Sequence, residues 1–223
     1  LNIVKEDETL YDDLKDADGH IYCIPELRLD KELRVYTGWM IREDWLNKLN
    51  LKTPKSIDEM HDVLKAFKES DPNGNGQKDE KPMINGVDSA LWWWGIKDYY
   101  RDGDTIKSGY LQPQYKEYLE TMAKWYDEGL IDPEYISLSS EMIVQRMAGD
   151  KTGIFFGNAT SGLKKYEDLA KKDYPDYRLA GVEWLSANGT GGYSFVDSYI
   201  GRTVSSAGMV ITSKCKNPAL AAK

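Results

Sequence analysis

Apolar positions along this chain follow two rhythms, and their alternation carries most of the structural information. Between Ser56 and Glu69, the residues Ile57, Met60, Val63, Leu64 and Phe67 recur every three or four positions, which puts them on one face of an α-helix. Ser56 and Glu59 form a capping box at its start. A second helix is predicted over about Gln114 to Glu128, with Tyr115, Leu119, Met122 and Trp125 as its buried stripe and Gly129 as its stop. Shorter helices are expected from Glu43 to Leu49, from Glu141 to Ala148 before Gly149, and from Gly162 to Lys172 after a Ser161 cap. Strands are expected from His20 to Pro25 after an Asp18-Gly19 turn, and at Leu33 to Ile41, Thr152 to Phe156, Arg178 to Trp184 and Ala207 to Thr212. Strands and helices alternate through the centre of the chain, which predicts an α/β layered fold.

The ends differ from the interior. Leu1-Asn2-Ile3-Val4 runs at once into Lys5-Glu6-Asp7-Glu8, with no basic start and no long apolar stretch. Near the other end, Asn217 and Pro218 read as the cap and first residue of a helix that stops within two turns, too short to hold without further packing. The expectation is that both ends are cut and that the chain comes from a larger protein.

Composition narrows the function classes. Of the 223 residues, 29 are Lys or Arg and 37 are Asp or Glu, a formal net charge of −8. A duplex nucleic-acid partner needs a basic stripe to displace counterions, so none is expected; docking on an anionic membrane is disfavoured for the same reason. Six apolar residues, Leu91 to Ile96, form the longest such stretch, far short of a membrane span. Two histidines and two cysteines are too few for a zinc cluster, and Cys23 and Cys215 read as free thiols rather than a disulfide. Aromatic residues reach 12%, with seven Trp and fifteen Tyr. Such rings serve a core, but equally a sugar-binding face, where the apolar side of a pyranose stacks.

The loop Asp71-Pro72-Asn73-Gly74-Asn75-Gly76-Gln77-Lys78-Asp79-Glu80 holds the clearest chemistry. Oxygen donors stand at positions 1, 3, 5, 9 and 10, with glycine at position 6. This is the spacing by which an EF-hand loop wraps one hard cation. Asp71, Asn73, Asn75 and Asp79 would each give a side-chain oxygen and Gln77 its carbonyl. Glu80 substitutes for the missing bidentate Glu at position 12, where Pro82 stands. Pro82 also forbids a second helix, so the expected unit is helix–loop–strand, holding a structural Ca²⁺. The bland alternative is a solvated Asn-Gly turn.

Trp92-Trp93-Trp94 is the second candidate. Neighbouring side chains point apart on a helix or a strand, so three rings cannot all face one core, and at least one should reach solvent or a cleft. Gly189-Thr190-Gly191-Gly192 lacks a following capped helix and reads as a flexible loop. Asn158-Ala159-Thr160 and Asn188-Gly189-Thr190 match the glycosylation sequon, a short pattern of little weight. No nucleophile elbow accompanies His20 or His61, and 37 acids make any pair of carboxylates uninformative, so no catalytic set is read.

Several segments resemble, in order along the chain, extracellular solute-binding proteins of bacterial sugar ABC importers. These are Asp18 to Pro25; Trp39 to Leu46 with Thr53 to Met60; the Asp71–Glu80 loop; Trp125 to Glu134; Gly149 to Gly157; and Ala207 to Thr212 with Asn217-Pro218. The resemblance covers nearly the whole chain and points to the calcium-loop, lipoprotein-like branch. It implies a periplasmic-binding-protein-like (class II) lobe of three-layer α/β/α build, excised from a two-lobe protein with most of the first lobe absent. Residues 1–34 would be the crossover from the first lobe, 35–200 the second lobe, and 201–223 the return strand and a truncated helix.

By the same resemblance the function is binding rather than catalysis: a sugar or oligosaccharide held in a cleft, with ABC permease subunits as partners. The protein would be a monomer, anchored outside the cell by an N-terminal lipid or kept in the periplasm. Trp92, Trp93 and Trp94 match where family members stack a sugar ring, and Gly157-Asn158-Ala159-Thr160 matches a cleft-floor loop, with Ala159 and Thr160 where the maltose-binding branch has a tryptophan. Trp39, Glu26 and Arg28 beside the crossing, and Arg202 on the return, are further ligand candidates. The alternatives are a calcium-stabilised glycoside hydrolase, which needs two carboxylates beside the tryptophans, and a peptide receptor, which needs a charged clamp such as Arg28 with Arg202.

Overall fold

Residues 11–12, 14–27, 37–96, 98–158, 162–187 and 204–221 are described by the structure, a computed structural model. In chain order the elements are β1 (Ile24–Leu27), β2 (Thr37–Arg42), α1 (Glu43–Lys48), α2 (Ile57–Glu69), β3 (Lys81–Met83), a 3₁₀ helix (Asp88–Trp94), β4 (Tyr99–Asp102) and β5 (Thr105–Ser108). After a short 3₁₀ turn come α3 (Pro113–Asp127), α4 (Ser140–Ala148), β6 (Thr152–Asn158), α5 (Lys164–Ala170), β7 (Leu179–Val182), β8 (Val204–Met209) and α6 (Pro218–Ala221). The chain divides into two compact units, Leu1–Val35 with Asp197–Lys223, and Tyr36–Val196.

In the larger unit four strands form a mixed sheet in the order β3-β6-β2-β7. β6 and β7 flank β2 antiparallel, while β3 runs parallel to β6. Successive strand side chains leave on opposite faces, and both faces are covered. Trp39, Ile41, Ile154 and Val182 pack with Met60, Val63, Leu64 and Phe67 of α2 and with Met122 and Trp125 of α3. On the other side Met40, Phe155 and Leu179 meet Met147 of α4, Ala170 of α5 and Tyr177. A sheet between two helical layers follows, the three-layer α/β/α arrangement expected of a solute-binding lobe.

In the smaller unit β1 and β8 pair antiparallel, with Ile24 opposite Met209 and Pro25 opposite Gly208. The Asp18-Gly19 turn forms as expected: Gly19 has φ +79°, and the Asp16 carboxylate accepts the amides of Asp18 and His20. Asn217 caps α6 by accepting the Leu220 amide. Cys23 and Cys215 are free thiols.

Several elements differ from expectation: β1 covers Ile24–Leu27 rather than His20–Pro25, and β7 covers Leu179–Val182 rather than 178–184. The stripe of α3 is Tyr118, Met122 and Trp125, while Leu119 is 46% exposed. The helical period admits either phase; Tyr118 wins because its hydroxyl can donate to the Val87 carbonyl at 3.1 Å. β8 covers 204–209 rather than 207–212, because its partner strand runs out at Ile24. The β4–β5 hairpin, turned by the two-residue loop Gly103-Asp104 with Asp102 opposite Thr105, is not among the elements expected from the sequence. Residues 28–36, 159–161 and 188–203 lie outside the described residues, and with them Arg28, Ala159, Thr160, the Gly189–Gly192 loop and Arg202.

Candidate functional site

A short 3₁₀ helix makes the aromatic surface. Three residues per turn send Trp92, Trp93 and Trp94 in different directions. Trp93 is 2% exposed and packs, with tilted rings, between Trp39, at 4.8 Å between ring centroids, and Trp125, at 6.3 Å. Trp94 is buried against the edge of Tyr118. Trp92 alone of the three is half-buried, as the parity of neighbours requires. Its ring lies 5.1 Å from that of Trp184 and 6.2 Å from that of Phe156, and the latter two lie 6.0 Å apart. These three half-buried rings form one patch at an end of the sheet.

The backbone around the patch is tied down. Asn85 behaves as an extra strand residue: its side chain accepts the Phe156 amide at 2.8 Å and donates to the Phe156 carbonyl at 3.0 Å. The Ala187 amide donates to the Trp93 carbonyl at 2.8 Å, so the segment after β7 that carries Trp184 is fastened to the 3₁₀ helix. Gly86 has φ +82°, and a Cβ there would stand 2.5 Å from Phe156 and 2.6 Å from the Trp39 ring. A pre-set aromatic patch on fixed backbone can stack a flat apolar face without rearranging.

The acidic loop leaves α2 at Asp71, whose φ is +47°, and enters β3 after Glu80. The Asp71 carboxylate accepts the amides of Gly74, Asn75 and Gly76. Asn73 and Asn75 accept the Asn75 and Gln77 amides in turn, and the Asn75 side chain donates to Asp79 at 3.1 Å. Lys151 pairs with the other Asp79 oxygen at 2.6 Å, and this hydrogen bond holds the carboxyl below its ordinary value.

Glu80 is the unusual member. It is 7% exposed, and both carboxylate oxygens are buried without a hydrogen-bond partner. Burial, then the charges of Asp71 and Asp79, push its pKa up. A buried carboxylate is normally paired or bound to a metal, so this orphan fits a cation in the loop. Among the described residues no three His, Cys, Asp or Glu side chains are grouped to hold a metal unaided. A cation here would therefore draw on the amide oxygens of Asn73 and Asn75 and the Gln77 carbonyl as well.

Beside the loop sits a buried charge network. Arg42 is 1% exposed, with Tyr177 at 3.9 Å and Trp45 at 4.4 Å from its guanidinium carbon to the ring centroids. It pairs with Asp44 at 2.6 Å and Asp150 at 2.5 Å. Asn73 donates to the Asp150 carbonyl at 3.1 Å, joining loop and network.

The structure thus gathers the metal candidates in one loop but separates the ligand candidates. Trp39, Trp93 and Trp94 are core residues that show no ring face to solvent, because they pack between sheet, α2 and α3. Trp92 stays on the surface, and Asn158 is exposed at the end of β6. Glu26 lies on β1, in the smaller unit. Trp184 and Phe156 were not singled out from the sequence, because each lies in or beside a predicted strand whose outward positions look alike.

No family model matches the chain. Among curated proteins it is 33% identical over 173 residues to the fructooligosaccharide ABC transporter substrate-binding protein FusA of Streptococcus pneumoniae, which takes in 68% of this chain and 32% of FusA. It is 32% identical over 177 residues to lipoprotein LipO of Bacillus subtilis, covering 70% of this chain and 34% of LipO. The chain is a homologue of the ABC-importer solute-binding proteins.

It spans about a third of the length of these relatives. A third relative, the polygalacturonan/rhamnogalacturonan-binding protein YtcQ of Bacillus subtilis, is 29% identical over 164 residues. Among solved structures, the alginate-binding protein AlgQ2 without calcium ion matches 97% of this chain and 45% of its own at a TM-score of 0.76 and 30% identity. FusA in complex with kestose matches 83% of this chain at a TM-score of 0.63 and 27% identity. The solute-binding-protein lobe is therefore the fold of the larger unit. No helix among the described residues is long and apolar enough to cross a membrane.

Proposed function

We propose that this chain is the substrate-binding component of a bacterial ABC importer and takes a sugar or oligosaccharide. The observation that carries the reading is the half-buried Trp92–Trp184–Phe156 patch, held on backbone that Asn85 and Ala187 fix in place. The relatives named as binders of fructooligosaccharide and of polygalacturonan or rhamnogalacturonan support it. Trp92 stacks the sugar; Trp93 and Trp94 serve by holding the 3₁₀ helix. Asn158 offers a hydrogen-bonding amide at the end of the same sheet. Binding, not turnover, is the chemistry, with permease subunits receiving the loaded protein outside the cell or in the periplasm. A monomer with an N-terminal lipid anchor completes this reading.

The loop would hold a structural Ca²⁺ through Asp71, Asn73, Asn75, Asp79, Glu80 and the Gln77 carbonyl. The ion would neutralise the buried Glu80 carboxylate and brace the junction of α2 with β3.

A tryptophan-fluorescence titration of the chain with kestose, stachyose and trigalacturonate, calcium present, tests the proposal. A saturable change that Trp92→Ala removes is expected. No saturable change with any sugar up to about 10 mM, where contacts worth only about −3 kcal/mol are populated, overturns it. Chromatography of the sugars afterwards separates binder from hydrolase: the sugars are expected back intact.

A further inference from the structure

A second concave surface lies in the same unit, between the 3₁₀ helix, α3 and the segment after Ile131. It encloses roughly 800 Å³, within the ~300–1,000 Å³ of small-molecule sites. Tyrosine dominates it: Tyr110, Tyr115, Tyr118, Tyr126 and Tyr135 all line the groove. Two of their hydroxyls are engaged, Tyr110 with Asp98 at 2.6 Å and Tyr118 with Val87. Those of Tyr115, Tyr126 and Tyr135 hydrogen-bond to no described residue. Tyr126 is 45% exposed and meets Tyr135 edge-on at 6.5 Å.

Charge gives the groove a preference. Asp88 and Asp127 line it, and among the described lining residues there is no Lys or Arg. Sugar hydroxyls are donors that carboxylates accept, and the faces of sugar rings suit tyrosine rings that also offer hydroxyls. A uronate would bring its own carboxylate beside the exposed carboxylates of Asp88 and Asp127, a like-charge repulsion with no cation among the described lining residues to offset it. Leu91 lines the groove while the next residue, Trp92, belongs to the aromatic patch, so one 3₁₀ helix serves both surfaces.

We infer that this tyrosine groove is a second carbohydrate subsite, one that accepts neutral oligosaccharides and rejects uronates. The inference rests on the proposal that the chain binds sugars, but it concerns different residues and is separable from the Trp92 patch.

Amide chemical-shift mapping of the chain with stachyose, a neutral sugar, and with trigalacturonate, an anionic one, tests it. Stachyose is expected to shift amides over 115–127 and 134–136 saturably, trigalacturonate to leave them in place. The shifts should survive Trp92→Ala, and Tyr126→Ala should weaken them by about tenfold, the equivalent of one lost ring contact. Tyr126→Phe, which keeps the ring, should weaken them less. Shifts confined to the neighbourhood of Trp92, Phe156 and Trp184 would overturn the groove and leave the patch standing. Groove shifts with none at the patch would do the reverse. Equal binding of trigalacturonate overturns the charge argument, and chain-concentration-dependent association without sugar-induced shifts overturns the subsite in favour of a protein contact.

Discussion

Trp92 and Trp184 stand 92 residues apart in sequence, yet their indoles meet at 5.1 Å and 43°, joined through a segment that the Trp93 carbonyl holds from the Ala187 amide. Neither ring is sealed in the core, and each limits the other's rotation. Trp184→Ala should leave Trp92 without its neighbour and lower sugar affinity by about tenfold, the scale of one aromatic contact. A fluorescence titration against the same sugars as the unsubstituted chain checks this.

Gly86→Ala should damage the patch from behind. Its φ of +82° disfavours any side chain, and the new methyl would collide with Phe156 and the Trp39 ring. Strain and overpacking together predict a loss of about 2–4 kcal/mol, measured as a shift of the urea midpoint. An unchanged midpoint would mean that the backbone relaxes without moving Phe156.

Arg42 is buried between Trp45 and Tyr177 with Asp44 and Asp150 as counter-charges. Burial works against its charge, but Asp44 and then the other acidic neighbours hold it above the usual arginine value. Arg42→Ala strands the buried Asp150 and should cost about 3–5 kcal/mol. Adding Asp150→Asn should recover part of that loss, because the uncompensated charge is gone. A double-mutant cycle in urea reads the coupling directly.

Calcium should matter more at neutral than at acid pH. Burial and the charges of Asp71 and Asp79 raise the Glu80 pKa in the folded state. A carboxyl with a raised folded pKa takes a proton more readily folded than unfolded, so the calcium-free chain loses stability as pH rises through the range above the ordinary Glu value. A bound cation stabilises the ionised form and removes that loss. The melting-temperature gain from calcium is therefore expected to be larger at about pH 7.5 than at about pH 4.5. Glu80→Gln should raise the melting temperature of the calcium-free chain at neutral pH and shrink the gain from calcium. A calorimetric titration without calcium uptake would refute the loop assignment.

Much of the fold was legible because single elements carry their own instructions. α2 starts where the capping pattern says it should: Ser56 accepts the Glu59 amide, and the Glu59 side chain reaches back to the Lys55 amide. The buried face of α2 is the one its period draws, with Met60, Val63, Leu64 and Phe67 all below 5% exposure. The acidic loop was legible for a similar reason, since its donors are contiguous and Gly76 takes the positive φ, +77°, that a sharp turn requires. The aromatic patch was only half legible. Neighbouring tryptophans had to diverge, but which one faced outward depended on the 3₁₀ winding of Asp88–Trp94 and on where α3 lay. Trp184 and the five groove tyrosines gave no local signal, because an outward ring in one element looks the same whether or not a distant ring stands beside it.

Sequence alone determined the rhythm of strands and helices, the oxygen-rich loop and the surplus of rings, since each depends on residues a few positions apart. Tertiary structure alone decided which indole faces out, that Trp184 and Phe156 join it, that Glu80 is buried without a partner, and that Tyr118 displaces Leu119 from the core. Those outcomes are set by contacts between distant segments, where packing and desolvation outweigh local preference.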